Sequence, residues 1–255
     1  MRTASCLLLL LATGLGLPAA CAQSLTDNKT PPPSRPEASN LTPEARGGIL
    51  MARKMYREAI EAYQESKPMT HIVLNKVGIG FHQLNELKTA KQYYEKAVKV
   101  DKEYSEAINN IGTVYYAQKN YRHAISQYQK ALEIAPRSAS IHSNLGTAYF
   151  ARKRYEDAVK EYEVALSIDP EVFEHRSSSG SLLQERNVEE RAKFHYYLSK
   201  MYAKTGNIEL SLQYIRKSLE EGFKDRKKFQ EEPEFAAVRE HPDFEVLMKL
   251  EPRVL

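Results

Sequence analysis

The amino-acid pattern of this chain repeats every 34 residues over its middle part. In each repeat a glycine, two alanines and two aromatic residues return at the same places. These positions are Gly78, Gly112 and Gly146; Ala90, Ala124 and Ala158; Tyr94, Tyr128 and Tyr162; Ala97, Ala131 and Ala165; and Phe81, Tyr115 and Tyr149. A helix–turn–helix unit of this length cannot bury its apolar face alone, so neighbouring units stack into a solenoid. The repeat therefore predicts an all-α fold.

The small residues indicate where the two helices of a unit cross. A side chain larger than that of Gly112, or of Ala124 on the facing helix, would push the helices apart, at a typical cost of about 1–3 kcal/mol. Pro136 and Pro170 are predicted to end the second helix of a unit, because proline cannot continue a helix.

The pattern also sets the limits of the domains. We predict a signal peptide over 1–22, a disordered Pro-rich linker over 23–46, units 1–4 over 47–172, an inserted loop over 173–191, unit 5 over 192–222 and a C-terminal helical cap over 223–255. Pro233 and Pro242 are each expected to start a short amphipathic helix of the cap. The side chains predicted to cover the last repeat are Phe235, Val238, Phe244, Val246 and Leu247.

One motif is specific enough to suggest a family. Asn110-Ile111-Gly112-x-x-Tyr115, followed by Tyr121-x-x-Ala124-x-x-x-Tyr128-x-x-Ala131, resembles the tetratricopeptide repeat, and the resemblance extends from Ile49 to about Gly222. It implies a right-handed superhelix of about five repeats that binds other proteins. The chain departs from the family at the usual tryptophan slot, which holds Leu74, Ile108 and His142.

The N-terminus has the features of an export signal. Arg2 precedes an apolar run from Ala4 to Leu17, and an A-x-A-like cleavage site lies before Gln23. The run is shorter than the roughly 20 residues that span a bilayer. We therefore expect an exported bacterial protein that is periplasmic or secreted. In the alternative, Cys21 is a lipidated cysteine, although Pro18 stands where the lipoprotein pattern has leucine.

Composition and motifs argue against other classes. The formal net charge of +4 is small beside 37 basic and 33 acidic residues, so nucleic-acid binding is not expected. The sequence has no G-x-S-x-G, H-E-x-x-H, Walker or C-x-x-C motif, so no enzymatic activity, cofactor or metal is implied.

A partner-binding groove is predicted on the first helices, about a third of a turn from the face that packs on the second helix. The residues on this predicted groove face are Asn75, Ile79 and His82 in unit 2, Asn109, Thr113 and Tyr116 in unit 3, and Ser143, Thr147 and Phe150 in unit 4. Asparagine amides can hold an extended peptide backbone, and aromatic rings offer apolar shelves. In the alternative, this face is a solvated wall of generic residues.

Unit 5 carries a different face. Lys193, Tyr196, Lys200 and Lys204 follow one another at spacings of three, four and four, so they share one side of a helix. Three cations and an aromatic ring can attract an acidic segment, whereas the alternative is a row of solvated lysines.

Several functions fit these features. The leading hypothesis is an exported adaptor that binds a partner segment in the groove and assembles an envelope complex. The alternatives are an accessory subunit of an envelope peptidase or cell-wall hydrolase that uses the loop over 171–191, and a self-assembling structural protein. Enzymatic activity in that loop, which holds Ser177, Ser178, Ser179 and Ser181, is a further hypothesis.

Overall fold

The structure, a computed structural model, describes residues 41–173 and 188–251. They form helices joined by short turns. The helices are α1 (Pro43–Ala52), α2 (Tyr56–Gln64), α3 (His71–Gln83), α4 (Leu87–Val100), α5 (Ser105–Ala117), α6 (Tyr121–Ile134), α7 (Ala139–Ala151), α8 (Tyr155–Ile168), α9 (Val188–Lys204), α10 (Ile208–Glu220), α11 (Lys227–Glu231), α12 (Ala236–Arg239) and α13 (Pro242–Met248), with a 3₁₀ turn over Pro233–Phe235. No strand occurs in these ranges.

The first ten helices pack in consecutive pairs, α1 with α2 and so on to α9 with α10, and each pair then packs on the next. This arrangement confirms an all-α solenoid of five helix–turn–helix units. The two helices of each unit are joined by a tight turn that contains a residue with a positive φ, a conformation that commonly ends helices. These residues are Lys54, Asn85, Lys119 and Lys153, with φ of 59–61°, and Gly206, with φ of 79°.

The predicted close crossing inside each unit is confirmed. A Cβ atom on Gly112 would lie 2.5 Å from the ring of Tyr128, and Gly78 and Gly146 meet Tyr94 and Tyr162 in the same way. The tyrosine rings are fully buried. The glycine therefore leaves room for the tyrosine, and the two positions repeat together.

Two predicted boundaries are wrong by four residues. Helix α1 begins at Pro43, inside the predicted linker, because Thr42 Oγ1 accepts a hydrogen bond from the backbone N–H of Ala45 and Pro43 occupies the first helical position. Helix α9 begins at Val188, four residues before the predicted start of unit 5. The predicted signal peptide, most of the linker and residues 174–187 of the inserted loop lie outside the described residues.

The C-terminal cap covers unit 5. The 3₁₀ turn contacts α9, and both α12 and α13 contact α10. Phe235, Val238, Phe244 and Leu247 are buried there, as predicted. Val246 is not, since 60% of it is exposed: Phe244 and Leu247 share the face of α13 that meets α10, and Val246 points away from it.

Candidate partner-binding surface

The first helices of the units lie on the inner side of the solenoid. Helix α3 contacts α5, and α5 contacts α7, more extensively than the second helices of the same units contact one another. Elements that lie closer together lie on the inside of a curve. The predicted groove face is therefore carried by the helices that line the concave side.

A ladder of asparagine amides joins these first helices. Asn110 Nδ2 donates to Asn75 Oδ1, and Asn144 Nδ2 donates to Asn109 Oδ1, each over 2.9 Å. Asn75 Nδ2 also donates to the hydroxyl of Tyr104. Asn75, Asn109 and Asn144 are buried. The amides of Asn75 and Asn109 that we predicted to hold a peptide backbone are thus used between units 2, 3 and 4 of the chain itself.

The two groove threonines are also buried and bonded within the chain. Thr113 Oγ1 donates to the backbone carbonyl of Asn110 over 2.8 Å. Thr147 Oγ1 accepts from the hydroxyl of Tyr162 over 3.3 Å. Both hydroxyls therefore stabilise their own unit from below the surface.

The predicted aromatic shelves lie in the core, where they contact rings of their own unit and, for Phe150, of the next unit. The ring centroid of Tyr116 is 5.1 Å from that of Tyr121. The ring of Phe150 lies 5.1 Å from Tyr155 and 5.6 Å from Phe194. Tyr116 and Phe150 are buried in the same apolar cluster, so they support the groove wall more than they form its surface.

The remaining groove residues of units 2 to 4 are partly accessible. Ile79, His82 and Ser143 are half-buried. His82 Nδ1 lies 3.5 Å from the hydroxyl of Tyr94, and burial lowers the pKa of His82. The accessible concave surface thus offers an alkyl group, an imidazole whose charged form is disfavoured by burial, and a hydroxyl.

In unit 5 the cap covers part of the predicted basic face. The hydroxyl of Tyr196 donates to the carboxylate of Glu232 over 2.6 Å. Lys200 Nζ lies 3.0 Å from Glu232 and 3.3 Å from Glu234. Burial and the bond to Glu232 raise the pKa of Tyr196. The acidic segment expected on this face therefore belongs to the same chain.

The contact between Tyr196 and Glu232 also continues the ladder. The two residues are 36 positions apart, whereas each asparagine bond between units joins residues 35 positions apart. The 3₁₀ turn thus occupies the place that the first helix of a sixth unit would take.

The other two lysines of the predicted basic face remain at the surface. Lys193 Nζ lies 3.7 Å above the ring of Tyr155, a cation–π contact between units 4 and 5. Lys204 forms an ion pair with Glu163, yet its side chain is exposed. No hydrogen bond or ion pair joins either lysine to the described part of the cap, residues 223–251, so both stay within a partner's reach.

Sequence reasoning missed the ladder partners and the acidic pair of the cap. Asn110 and Asn144 stand 34 residues apart, so the repeat itself carried the signal that they share a role. Glu232 and Glu234 directly precede the aromatic residue predicted to anchor the cap. Within the described ranges, no group of three or more His, Cys, Asp or Glu residues is arranged to hold a metal ion. Nor is any helix there long and apolar enough to cross a membrane.

The tetratricopeptide repeat family matches residues 81–104 and 103–171. With the paired helices and the repeating glycine–tyrosine crossings, these matches define the class: the chain is a tetratricopeptide repeat protein. No curated protein sequence matches it significantly.

Solved structures share the fold at low sequence identity. A chain of the APC/C hetero-tetramer Cut9–Hcn1 is 18% identical with a TM-score of 0.51, over 77% of this chain and 34% of that one. The thermophilic TPR protein TTC0263 of Thermus thermophilus is 18% identical with a TM-score of 0.50, over 72% and 92%. MamA is 20% identical with a TM-score of 0.46, over 72% and 96%. The first two similarities support the fold alone.

Proposed function

We propose that this protein is an adaptor that binds an extended segment or a helix of a partner protein along the first helices of units 2 to 4. The observation that carries the proposal is the asparagine ladder, which holds α3, α5 and α7 side by side as one inner surface. Tetratricopeptide solenoids use such concave surfaces to bind proteins. A wall that is already rigid reduces the entropy lost on binding.

The accessible residues define what the surface accepts. Ile79 offers an apolar contact, and His82 and Ser143 offer polar ones. Lys193 and Lys204 extend the surface toward unit 5. A segment of mixed apolar and polar character, with an acidic residue toward unit 5, fits this order.

The buried members of the predicted groove have a supporting role in this proposal. Asn75 and Asn109 align the first helices. Thr113 bonds within its own helix, and Thr147 bonds to Tyr162 of the facing helix. The rings of Tyr116 and Phe150 fill the space behind the wall. The list of residues expected to touch a partner is therefore shorter than the sequence predicts, and Tyr196 and Lys200 contact a partner only where the cap leaves them accessible.

Site-specific photo-crosslinking tests this assignment. A photoreactive residue at Ser143 or His82 should capture the same protein, because both positions line one surface. The matched control is Glu133, which is exposed on the second helix α6. Capture of the same protein from Glu133, or of nothing from Ser143 and His82, would contradict the groove assignment.

The proposal includes export and a role in assembling an envelope complex. It is supported by the sequence of residues 1–22, with its apolar run and cleavage site. The mass and N-terminal sequence of the protein isolated from its cells test the proposal. A start at Gln23 is expected, a lipid on Cys21 would indicate an anchored form, and an intact Met1 would exclude cleavage.

A further inference from the structure

Each first helix after α1 packs on the second helix of the preceding unit through the same position. This position lies two residues after the small residue at the helix crossing, which is Gly78, Gly112 and Gly146 in α3, α5 and α7 and Ser199 in α9. The residues at this position are Gly80, Val114, Ala148 and Met201. Val114 and Ala148 are fully buried, and Met201 is 2% exposed. A Cβ atom on Gly80 would lie 2.6 Å from Ile60 of α2. Wherever a unit precedes, this position is sealed by a helix.

The equivalent position in α1 is open. Gly47 packs on Tyr63 as Gly112 packs on Tyr128, so the residue two positions further on is Ile49. Ile49 is 41% exposed. The other residues on the same helical face are Ala45, Gly48 and Ala52, and all three are exposed. Among the described residues, no helix precedes α1 to cover this row.

Once residues 1–22 are removed, as proposed above, two other ways of covering the row within this protein remain, and both are unfavourable. In the first, the C-terminal end of another copy would stack on α1 through the outer face of its α10. The cap already covers that face, and Phe244 and Leu247 are buried there. The residues 23–40 that precede α1 hold Leu25 and Ala38 as their apolar side chains apart from prolines. They would bury little apolar surface on Ile49.

We propose that α1 binds α1 of a second copy of this chain, so that the protein is an isologous dimer. In an antiparallel pair with the two-fold axis near Gly48 and Ile49, Ile49 contacts Ile49 of the partner subunit, and Ala45 faces Ala52 of the partner subunit. A two-fold contact uses the same patch on both subunits. The small side chains allow the helix axes to approach closely.

The contact is expected to be of modest strength and independent of the groove. One ten-residue helix per subunit buries less than the roughly 800 Å² per partner of a standard interface. We therefore expect a weak dimer that dissociates on dilution. The proposal does not depend on the adaptor function, since α1 lies in unit 1 and the adaptor surface lies on units 2 to 4.

Sedimentation equilibrium of the full chain over a hundredfold range of concentration tests the dimer. Ile49→Arg should raise the dissociation constant at least tenfold. Val164→Arg is the matched control, because Val164 is 39% exposed on α8, far along the sequence from α1. A monomer at every concentration, or a dimer that Ile49→Arg leaves intact, would overturn the proposal.

Cysteine crosslinking tests the two-fold axis itself and needs no loss of folding to be informative. With Cys6 and Cys21 replaced by serine, Ile49→Cys should form an intersubunit disulfide, and Val164→Cys should not. Equal crosslinking at both positions would show random collision and contradict the axis. A monomer in which α1 is protected from hydrogen exchange until residues 1–40 are removed would place that segment on Ile49 and also overturn the proposal.

Discussion

The two ends of the solenoid differ in how well their apolar side chains are covered. At the C-terminal end, the cap buries an aromatic cluster against unit 5, with Phe229 and Phe235 inaccessible to solvent. At α1, by contrast, Ile49 is exposed at a position that is sealed in every later unit. Terminal repeats generally need a polar outer face for solubility. This chain closes its C-terminal end with a dedicated segment, whereas no segment among the described residues covers the row on α1.

The largest expected effect comes from truncating one apolar side chain at each end of the solenoid. Phe235→Ala should lower the free energy of unfolding by about 3–5 kcal/mol, because it empties a fully buried site. Ile49→Ala should change it by less than about 1 kcal/mol in dilute, monomeric protein. Urea unfolding of both variants measures the difference. Equal losses would mean that α1 is as well covered as the cap.

Two adjacent glycines of α1 give a sharper test. Gly47→Ala should cost about 1–3 kcal/mol, since the new Cβ atom would overlap the ring of Tyr63. Gly48→Ala should gain about 0.5–1 kcal/mol, because its Cβ atom would meet only the Tyr63 hydroxyl at 4.0 Å and alanine favours the helix. Thermal unfolding of dilute protein should therefore shift in opposite directions. A loss at Gly48 would show that its face is already packed.

The buried tyrosines at the helix crossings of units 3 and 4 differ in the hydrogen bonding of their hydroxyl groups. The hydroxyl of Tyr162 donates to Thr147, whereas that of Tyr128 is buried with no hydrogen-bond partner in the described part of the chain. Tyr162→Phe should cost about 0.5–1.5 kcal/mol, and Tyr128→Phe should be neutral or stabilising. Chemical unfolding of the two variants checks this order, and a larger loss from Tyr128→Phe would reverse the assignment.

The smallest expected effect is a pH dependence at unit 5. Burial favours a raised pKa for Glu221, but its hydrogen bonds and charge interactions with His195 and Arg191 outweigh burial, so the pKa is lowered. A carboxyl with a lowered folded pKa contributes stability above its unfolded value of about 4.5, and this contribution is lost as the pH falls through the folded pKa.

The matched variant for this pH dependence is Glu221→Gln. Its free energy of unfolding should fall less steeply between pH 5 and pH 3 than that of the wild type, as followed by circular dichroism. Parallel slopes would remove Glu221 from the account.

The fold was predictable because the repeat specifies contacts inside a unit. Gly112 and Ala124 belong to one helix pair, and their return every 34 residues indicates that the helices cross there. The pattern did not indicate that the ring of Tyr128 fills the space beside Gly112. For the groove, the sequence predicted which helix face carries it but not which side chains on that face are accessible. Whether Asn75 is available to a partner depends on how close α3 and α5 lie, and the distance between units is set by curvature that a 34-residue spacing does not encode. The burial of Tyr196 depends on how the chain turns after Gly222, which no periodicity in α9 reveals.

Hydrogen exchange of the full chain at two concentrations, below and above the expected dimer dissociation constant, tests the contrast between the ends most directly. Amide protection of residues 43–52 should rise with concentration, while that of the cap residues 227–248 should stay the same. Protection of α1 that does not change with concentration, or a change confined to the cap, would contradict an open N-terminal face that a second copy covers.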